Sequence, residues 1–177
     1  MGNHMAGLQV QIRPWSEDHL HLELLYRLNV PEMLEHLGGP ESDEQVEKRH
    51  KRYVDVQSLG SGCMYSIWLA DHPVPIGNAG FWESGWQGST IYEIGWGVLP
   101  SFQQRGIASA ATAAVIEQAK QQKKHRFMHA FPSVDNPGSN AICRKLGFAF
   151  MGECDFEYPK GSFMHCNDWR LDLEAGV

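Results

Sequence analysis

Between Trp96 and Ala108 the chain reads Trp96-Gly97-Val98-Leu99-Pro100-Ser101-Phe102-Gln103-Gln104-Arg105-Gly106-Ile107-Ala108. An apolar strand turns at a proline and enters an Ala-rich helix through a glycine. Such a junction directs unpaired backbone N–H groups and the positive end of a helix dipole at one point. That point suits an anion, most naturally a phosphate or pyrophosphate. Gly106 lets the backbone approach where a Cβ would hold the ligand away, and Ala108 keeps the next turn small. The N–H groups of Gln104, Arg105, Gly106, Ile107, Ala108 and Ser109 are the expected donors, and Arg105 either adds a charge or is merely solvated. A glycine between strand and helix also serves as an ordinary turn or close-packing site, so the loop needs support from elsewhere.

Two further places carry reactive groups. Glu93 interrupts the apolar strand Ile91-Tyr92-Glu93-Ile94, where a carboxylate has either a chemical use or an ion-pair partner on the sheet surface. Asn136-Pro137 opens a short helix, with asparagine as cap and proline at the first position. On that helix Ser139 offers a hydroxyl that either bonds local backbone or does chemistry. Cys143 there reads first as a small packing residue. Glu83, His129, Asp155 and His165 are further proton acceptors on strands.

The elements that position these groups follow from periodicity. Leu8 to Arg13 alternates and ends at Pro14, a strand. Ser16 is the expected cap of a helix reaching about Asn29, with Leu20, Leu24, Leu25 and Leu28 on one face. Pro31 and Gly38-Gly39-Pro40 break the chain, and Ser42 with Gln45 forms a capping box for a helix to about Val56. Cys63–Ala70, Ile76–Glu83 and Ile91–Leu99 read as strands, with Gly85 to Ser89 as the second turn. A helix from Ile107 to about Lys124 carries Ile107, Ala111, Val115 and Ala119 on one face. A strand Phe127–Phe131, the Asn136 helix closed by Gly147, and strands Phe148–Cys154 and Phe163–Leu173 complete the chain. The order β-α-α-β-β-β-α-β-α-β-β predicts a single α/β (α+β) domain, with a mixed, mostly antiparallel sheet and helices on both faces.

Composition narrows the function classes. A chain of 177 residues fits one domain with a proper core. Met1 to Met5 resembles a cloning scar, which leaves residues 6–177 as the domain. The net charge of −6 disfavours nucleic acid and attracts a cationic partner such as an amine. The basic run Lys120 to Arg126 either complements a helix C-terminus or touches the outer phosphate of a nucleotide. No apolar run matches a bilayer and no secretory signal is evident, so a cytoplasmic protein is expected. The four cysteines and nine histidines show no metal-ligand spacing. No metal is expected, and the thiols should be free.

Gln103-x-x-Gly106-x-Ala108 resembles the pyrophosphate-binding signature of the Gcn5-related N-acetyltransferases (GNAT). The short strand after the helix, and then Asn136-x-x-Ser139 with Lys145-Leu146-Gly147-Phe148, follow in that family's order. The Asn-x-x-Ser form and the strand Glu93-Ile94-Gly95-Trp96 resemble the branch that includes ribosomal-protein N-terminal acetyltransferases. The resemblance spans roughly residues 76–173, and residues 8–57 share only the order of elements.

The resemblance implies acetyl-CoA as co-substrate, with its pyrophosphate on the loop. Its pantetheine arm would pair with the backbone near Val98, between splayed strands, and Asn136 would reach it from the other side. It implies Val98 N–H as oxyanion donor, Glu93 as general base, and Ser139 as the acid toward the thiolate. The Tyr that many relatives use as acid falls at Cys143 here. Met33 to Glu41 would wall the acceptor site, with Glu32, Glu35 and Glu41 drawing an amine, or would form a plain acidic turn. Trp86, expected in a Gly-rich turn, would line the acceptor mouth or an oligomer contact. The expectation is an N-acetyltransferase, monomer or homodimer, that acts on a small-molecule amine or a protein N-terminus. The alternatives are a different acyl-CoA, an oxygen acceptor, or a non-catalytic acyl-CoA sensor.

Overall fold

The computed structural model describes residues 9–157 and 160–176. The expected scar at 1–5, and Leu8, lie outside them. The strands are β1 (Val10–Pro14), β2 (Gly62–Leu69), β3 (Gly77–Trp86), β4 (Ser89–Val98), β5 (Phe127–Ala130), β6 (Ala149–Glu157) and β7 (Phe163–Asp172). The helices are α1 (His19–Leu28), α2 (Pro31–Leu34), α3 (Asp43–Ser58), α4 (Ile107–Gln122) and α5 (Pro137–Lys145). The strands form one sheet in the order β1-β2-β3-β4-β5-β7-β6. Neighbours are antiparallel except β4 and β5, which are parallel.

The expected order holds, with α2 as an added single turn that begins at Pro31. Helix caps explain the boundaries. The Ser42–Gln45 capping box is present on both sides. Asp18, not Ser16, caps α1 by accepting from Leu20 N–H at 2.9 Å, while Ser16 Oγ accepts from Asp18 N–H one step earlier. The β3–β4 turn is shorter than expected. Gln87 and Gly88, at φ +50° and +80°, make a two-residue turn whose left-handed backbone matches the twist of the hairpin. Trp86 is therefore a strand residue.

Strand alternation divides the core. Cys63, Tyr65 and Ile67 of β2, Ala79 and Phe81 of β3, and Tyr92, Ile94 and Val98 of β4 pack against α4 residues Ile107, Ala111, Val115 and Ala119. On the opposite face Met64 joins Trp15, Leu24, Leu25, Leu28 and Val46 of the α1–α3 layer. His21, not Leu20, heads the buried face of α1. It accepts from Ser16 N–H through Nδ1 (2.9 Å), so Nε2 carries the proton toward Ser66 Oγ at 3.0 Å. The cysteines are free. No helix of the described residues is long and apolar enough to cross a membrane.

Candidate active site

The sheet opens at its centre. β4 and β5 pair only at Tyr92 with Met128 and at Glu93 with His129. Past Ala130 the chain stays with β7: Asn167 N–H donates to Pro132 C=O (2.9 Å) and Val134 N–H to His165 C=O (3.2 Å). β4 instead stays with β3 as far as Val98 opposite Gly77. Leu99 N–H donates to Ile76 C=O at 2.9 Å, which fixes the phase of the ladder. Odd residues of β4 bond to β3, and Ile94 N–H closes the last rung to β5 at the Glu93–His129 pair. The Ile94 C=O and the N–H and C=O groups of Trp96 and Val98 turn into the opening. Gln103 Nε2 already donates to Val98 C=O at 3.0 Å, which leaves the Val98 N–H on that edge.

The opening leads to the start of α4. A 3-10 turn, Pro100–Phe102, lifts the chain off β4. Gln104 (φ +61°) and Gly106 (φ +77°) then take left-handed backbone. That conformation costs an L-residue about 1–2 kcal/mol, which is why the second position is glycine. Gly106 caps α4 without a side-chain hydrogen bond, and the first helical bond runs from Ala110 N–H to Gly106 C=O. The N–H groups of Ile107, Ala108 and Ser109 thus have no helical partner. Apart from Gly106 itself and its chain neighbours, no heavy atom of the described residues lies within 4 Å of where a Gly106 Cβ would stand. This exposed cradle of donors fits a pyrophosphate. Arg105 lies over the Phe102 ring at 5.5 Å. The basic run is at the other end of α4, about 24 Å away for a helix of this length. Lys124 pairs there with Glu83 and Arg126 with Asp172, which accords with the helix-end reading of the run.

On the sheet face opposite α4, Glu93 lies across from Trp82, whose Nε1 donates to Glu93 Oε2 at 3.2 Å. Burial pushes the Glu93 carboxyl up to about 7, against the pull of hydrogen bonds from Trp82 and Ser84. A carboxyl so placed is a base near neutrality. Beyond it β4 is bare on this face. A Cβ on Gly95 would sit 3.0 Å from the Trp82 ring, and one on Gly97 would sit 3.4 Å from Met33 Cε. Glycine thus lets Trp82 and α2 lie over the strand, and Gln103 Nε2 also reaches Met33 Sδ (3.4 Å). Among the wall glutamates, Glu41 is held by Arg49 (2.6 Å) and by Asn29 (2.7 Å). It is a structural anchor. Glu35 pairs with His36 (3.3 Å), and Glu32 is exposed.

Of the other proton acceptors only His129 reaches this place. It is buried and registers against Glu93. Its Nδ1 lies 2.6 Å from Asp168 Oδ1, and Asp168 Oδ2 accepts from Trp86 Nε1 at 3.2 Å. Trp86 packs on Phe131 at 4.8 Å, so its packing reason is now plain. His129, Asp168 and Trp86 line a cavity of about 290 Å3 together with Ser89, Phe127 and Arg170. Glu83 lies elsewhere, held below the usual carboxylate range by Lys124 and His125. His165 bonds Glu153 (2.8 Å) and Asp155 (3.2 Å) on the exposed β6–β7 hairpin.

Across the opening, Asn136 Oδ1 accepts from Ser139 N–H at 3.1 Å, so Asn136 caps α5. Asn140 fastens this turn. It donates to Ser133 and Asn136 carbonyls (3.0 and 2.7 Å) and accepts from Asn167 Nδ2 and Trp169 Nε1 (both 2.8 Å). Ser139 is half-buried, and its hydroxyl has no partner among the described residues. Cys143 is fully buried in the α4-side core, and burial pushes its thiol up to about 12. It packs. Asp168 and Asn140 were missed in the sequence. Their one signal is a polar residue on the inward side of an otherwise apolar periodicity.

The Acetyltransferase (GNAT) domain profile matches residues 9–149. A Bacillus subtilis protein named uncharacterized N-acetyltransferase YnaD is 29% identical over 125 residues, 70% of this chain and 69% of its own length. The fold resembles a Salmonella typhimurium acetyltransferase that modifies the N-terminal serine of ribosomal protein L7/L12. That match has a TM-score of 0.74 and 23% identity, and covers 92% and 94% of the two chains. An aminoglycoside acetyltransferase in complex with coenzyme A also matches, with a TM-score of 0.74, 20% identity and coverage of 93% and 95%. With most of its length inside the profile, and a sheet that parts just where the α4 donors begin, this chain belongs to the GNAT family of acetyltransferases.

Proposed function

We propose that the protein transfers the acetyl group of acetyl-CoA directly to a primary amine, on a small molecule or a protein N-terminus. It would work in the cytoplasm as a monomer or homodimer. One observation carries the reading. The open edge of β4, from the Ile94 C=O to the Val98 N–H, leads from the α4 donors toward Glu93. It suits a long co-substrate whose anion sits at one end and whose reacting carbon sits at the other.

Acetyl-CoA supplies an activated thioester. The N–H groups of Ile107, Ala108 and Ser109, with Gln104, Arg105 and Gly106, hold the pyrophosphate. Gln103 locks the strand by its bond to Val98, so the edge keeps its geometry. Val98 N–H, at the α4 end of the edge and about 17 Å along the strand from Glu93, pairs with the pantetheine arm. The edge N–H nearer Glu93, that of Trp96, donates to the oxygen on which charge develops, with no reorganisation needed. Glu93 takes one proton from the amine, and the Ser139 hydroxyl gives its proton to the departing sulfur while taking the amine's other proton in return. Asn136 and Asn140 keep the Ser139 turn in place. The burial of Cys143 supports direct attack, because the thiol on α5 is not open to carry an acyl group.

The test has two parts. Acetyl-CoA, but not adenosine, should raise the melting temperature, by about 2.7 kcal/mol of stabilisation at a hundredfold excess over Kd. Free-thiol release should then be followed across serine- and alanine-led peptides, an aminoglycoside and a polyamine. No stabilisation removes the co-substrate assignment. Stabilisation without turnover on any amine favours a non-catalytic sensor.

A further inference from the structure

Acetylation of an ammonium removes two protons from nitrogen. One ends on the departing sulfur and the other has to reach solvent. Glu93 takes one at a time, and Trp82 and the sheet half-bury it, so its proton needs an exit.

Directly across the parallel ladder from Glu93 stands His129. Met128 and Ala130 of β5 face α4, so the His129 ring shares the face of Glu93. Adjacent strands lie about 4.8 Å apart, so the two side chains rise next to each other. Glu93 is bonded on its β3 side to Trp82 and His129 on its β7 side to Asp168, and water bridges carboxyl and imidazole. His129 and Asp168 are each 6% exposed. An ionised Asp168 only accepts, and it also accepts from Trp86. The short Nδ1–Asp168 contact therefore puts the imidazole proton on Nδ1 and leaves Nε2 as the basic edge. The ring lies nearly parallel to Phe131, 5.7 Å away with an interplanar angle of 14°. Nε2 has no hydrogen-bond partner among the described residues and is not sealed by protein. It belongs to a ring that lines the 290 Å3 cavity, whose mouth includes the exposed Gln87 and Ser89. The charged groups facing the imidazole are Glu93 from β4 and Asp168 and Arg170 from β7. The Arg170 guanidinium lies over the Phe127 ring at 4.3 Å.

Resting on the acetyl transfer proposed above, we propose that His129, oriented by Asp168, is the relay that carries the acceptor's second proton from Glu93 to solvent. Glu93 forms an O–H bond as the amine N–H breaks. That O–H breaks as His129 Nε2 forms its own N–H bond, and Asp168 balances the imidazolium. The imidazolium then gives the proton to water in the cavity, which restores neutral His129 and ionised Glu93. Asp168 is a positioning residue, with Trp86 fixing its second oxygen.

The experiment uses the amine that gives the fastest thiol release in the panel above. His129→Ala should lower kcat about a hundredfold while acetyl-CoA Kd stays unchanged. Added imidazole should restore turnover saturably, and more strongly as rising pH makes it the free base. His129→Gln keeps a donor toward Asp168 and most of the volume, yet should be as slow as the alanine variant. A His129→Gln enzyme with wild-type kcat overturns the relay, as does a folded His129→Ala enzyme that imidazole leaves unchanged. If His129→Ala does not fold, His129→Gln decides alone. Failure of the wild type on every amine is a different result: it removes acetyl transfer itself, and the relay with it.

Discussion

Glu93 is the residue where burial and chemistry conflict. Desolvation favours its neutral form, so the folded protein binds the proton more tightly than the unfolded chain does. By linkage, this contribution to stability is fully present below the ordinary carboxylate pKa and is lost as pH rises through about 7. Glu93→Gln should therefore melt higher than wild type in mild base and at the same temperature in mild acid, as calorimetry would show. The same variant should lose about a hundredfold in kcat, together with the rising limb of the pH–rate profile near neutrality. Ser139→Ala should likewise lower kcat more than it weakens acetyl-CoA binding. Equal rates in both variants would refute the two roles. The preference for a neutral carboxyl at Glu93 was not visible in the strand Ile91-Tyr92-Glu93-Ile94. It depends on burial in the folded sheet, which outweighs the opposing hydrogen bonds from Trp82 and Ser84.

At the scale of elements, one loop and one helix turn set the geometry. The α4 start takes left-handed backbone twice, strained at Gln104 and free of strain at Gly106, and its free N–H groups are the return for that strain. Gly106→Ala meets no steric neighbour but still has to adopt φ +77°. Denaturant unfolding should show a loss of about 1 kcal/mol, and isothermal titration should show acetyl-CoA bound at least about tenfold more weakly. The loop motif and the α5 cap were legible because each is local. Asn136 and Pro137 stand where capping and proline rules put them, and the structure has them there. The Trp86 turn was misplaced because two glycines three residues apart, Gly85 and Gly88, both invite a bend. Only the pairing of Trp86 with Ser89 selects the tighter one.

For the molecule as a whole, the working feature is an interrupted sheet. On the side away from β3 the N–H groups of Trp96 and Val98 meet no strand, whereas those of Gly95 and Gly97 bond to β3. Hydrogen exchange should therefore show a split along β4. Acetyl-CoA should slow exchange at the even positions and leave the odd ones little changed. Uniform slowing, or none, would mean that the co-substrate does not lie along this edge. By itself the sequence determined the order of elements, the donor loop and the caps, because periodicity, glycine and helix-end chemistry act within a few residues. The Gln103–Ala108 motif marked the anion end of the site on the same local terms. The tertiary structure alone decided where β5 leaves β4, that His129 stands beside Glu93 with Asp168 behind it, and that Cys143 is sealed in the core. Each of these depends on register between strands far apart in the chain: β5 follows β7, so Asp168 arrives 39 residues after His129. No local pattern encodes that meeting; the hydrogen-bond ladder of the folded sheet does.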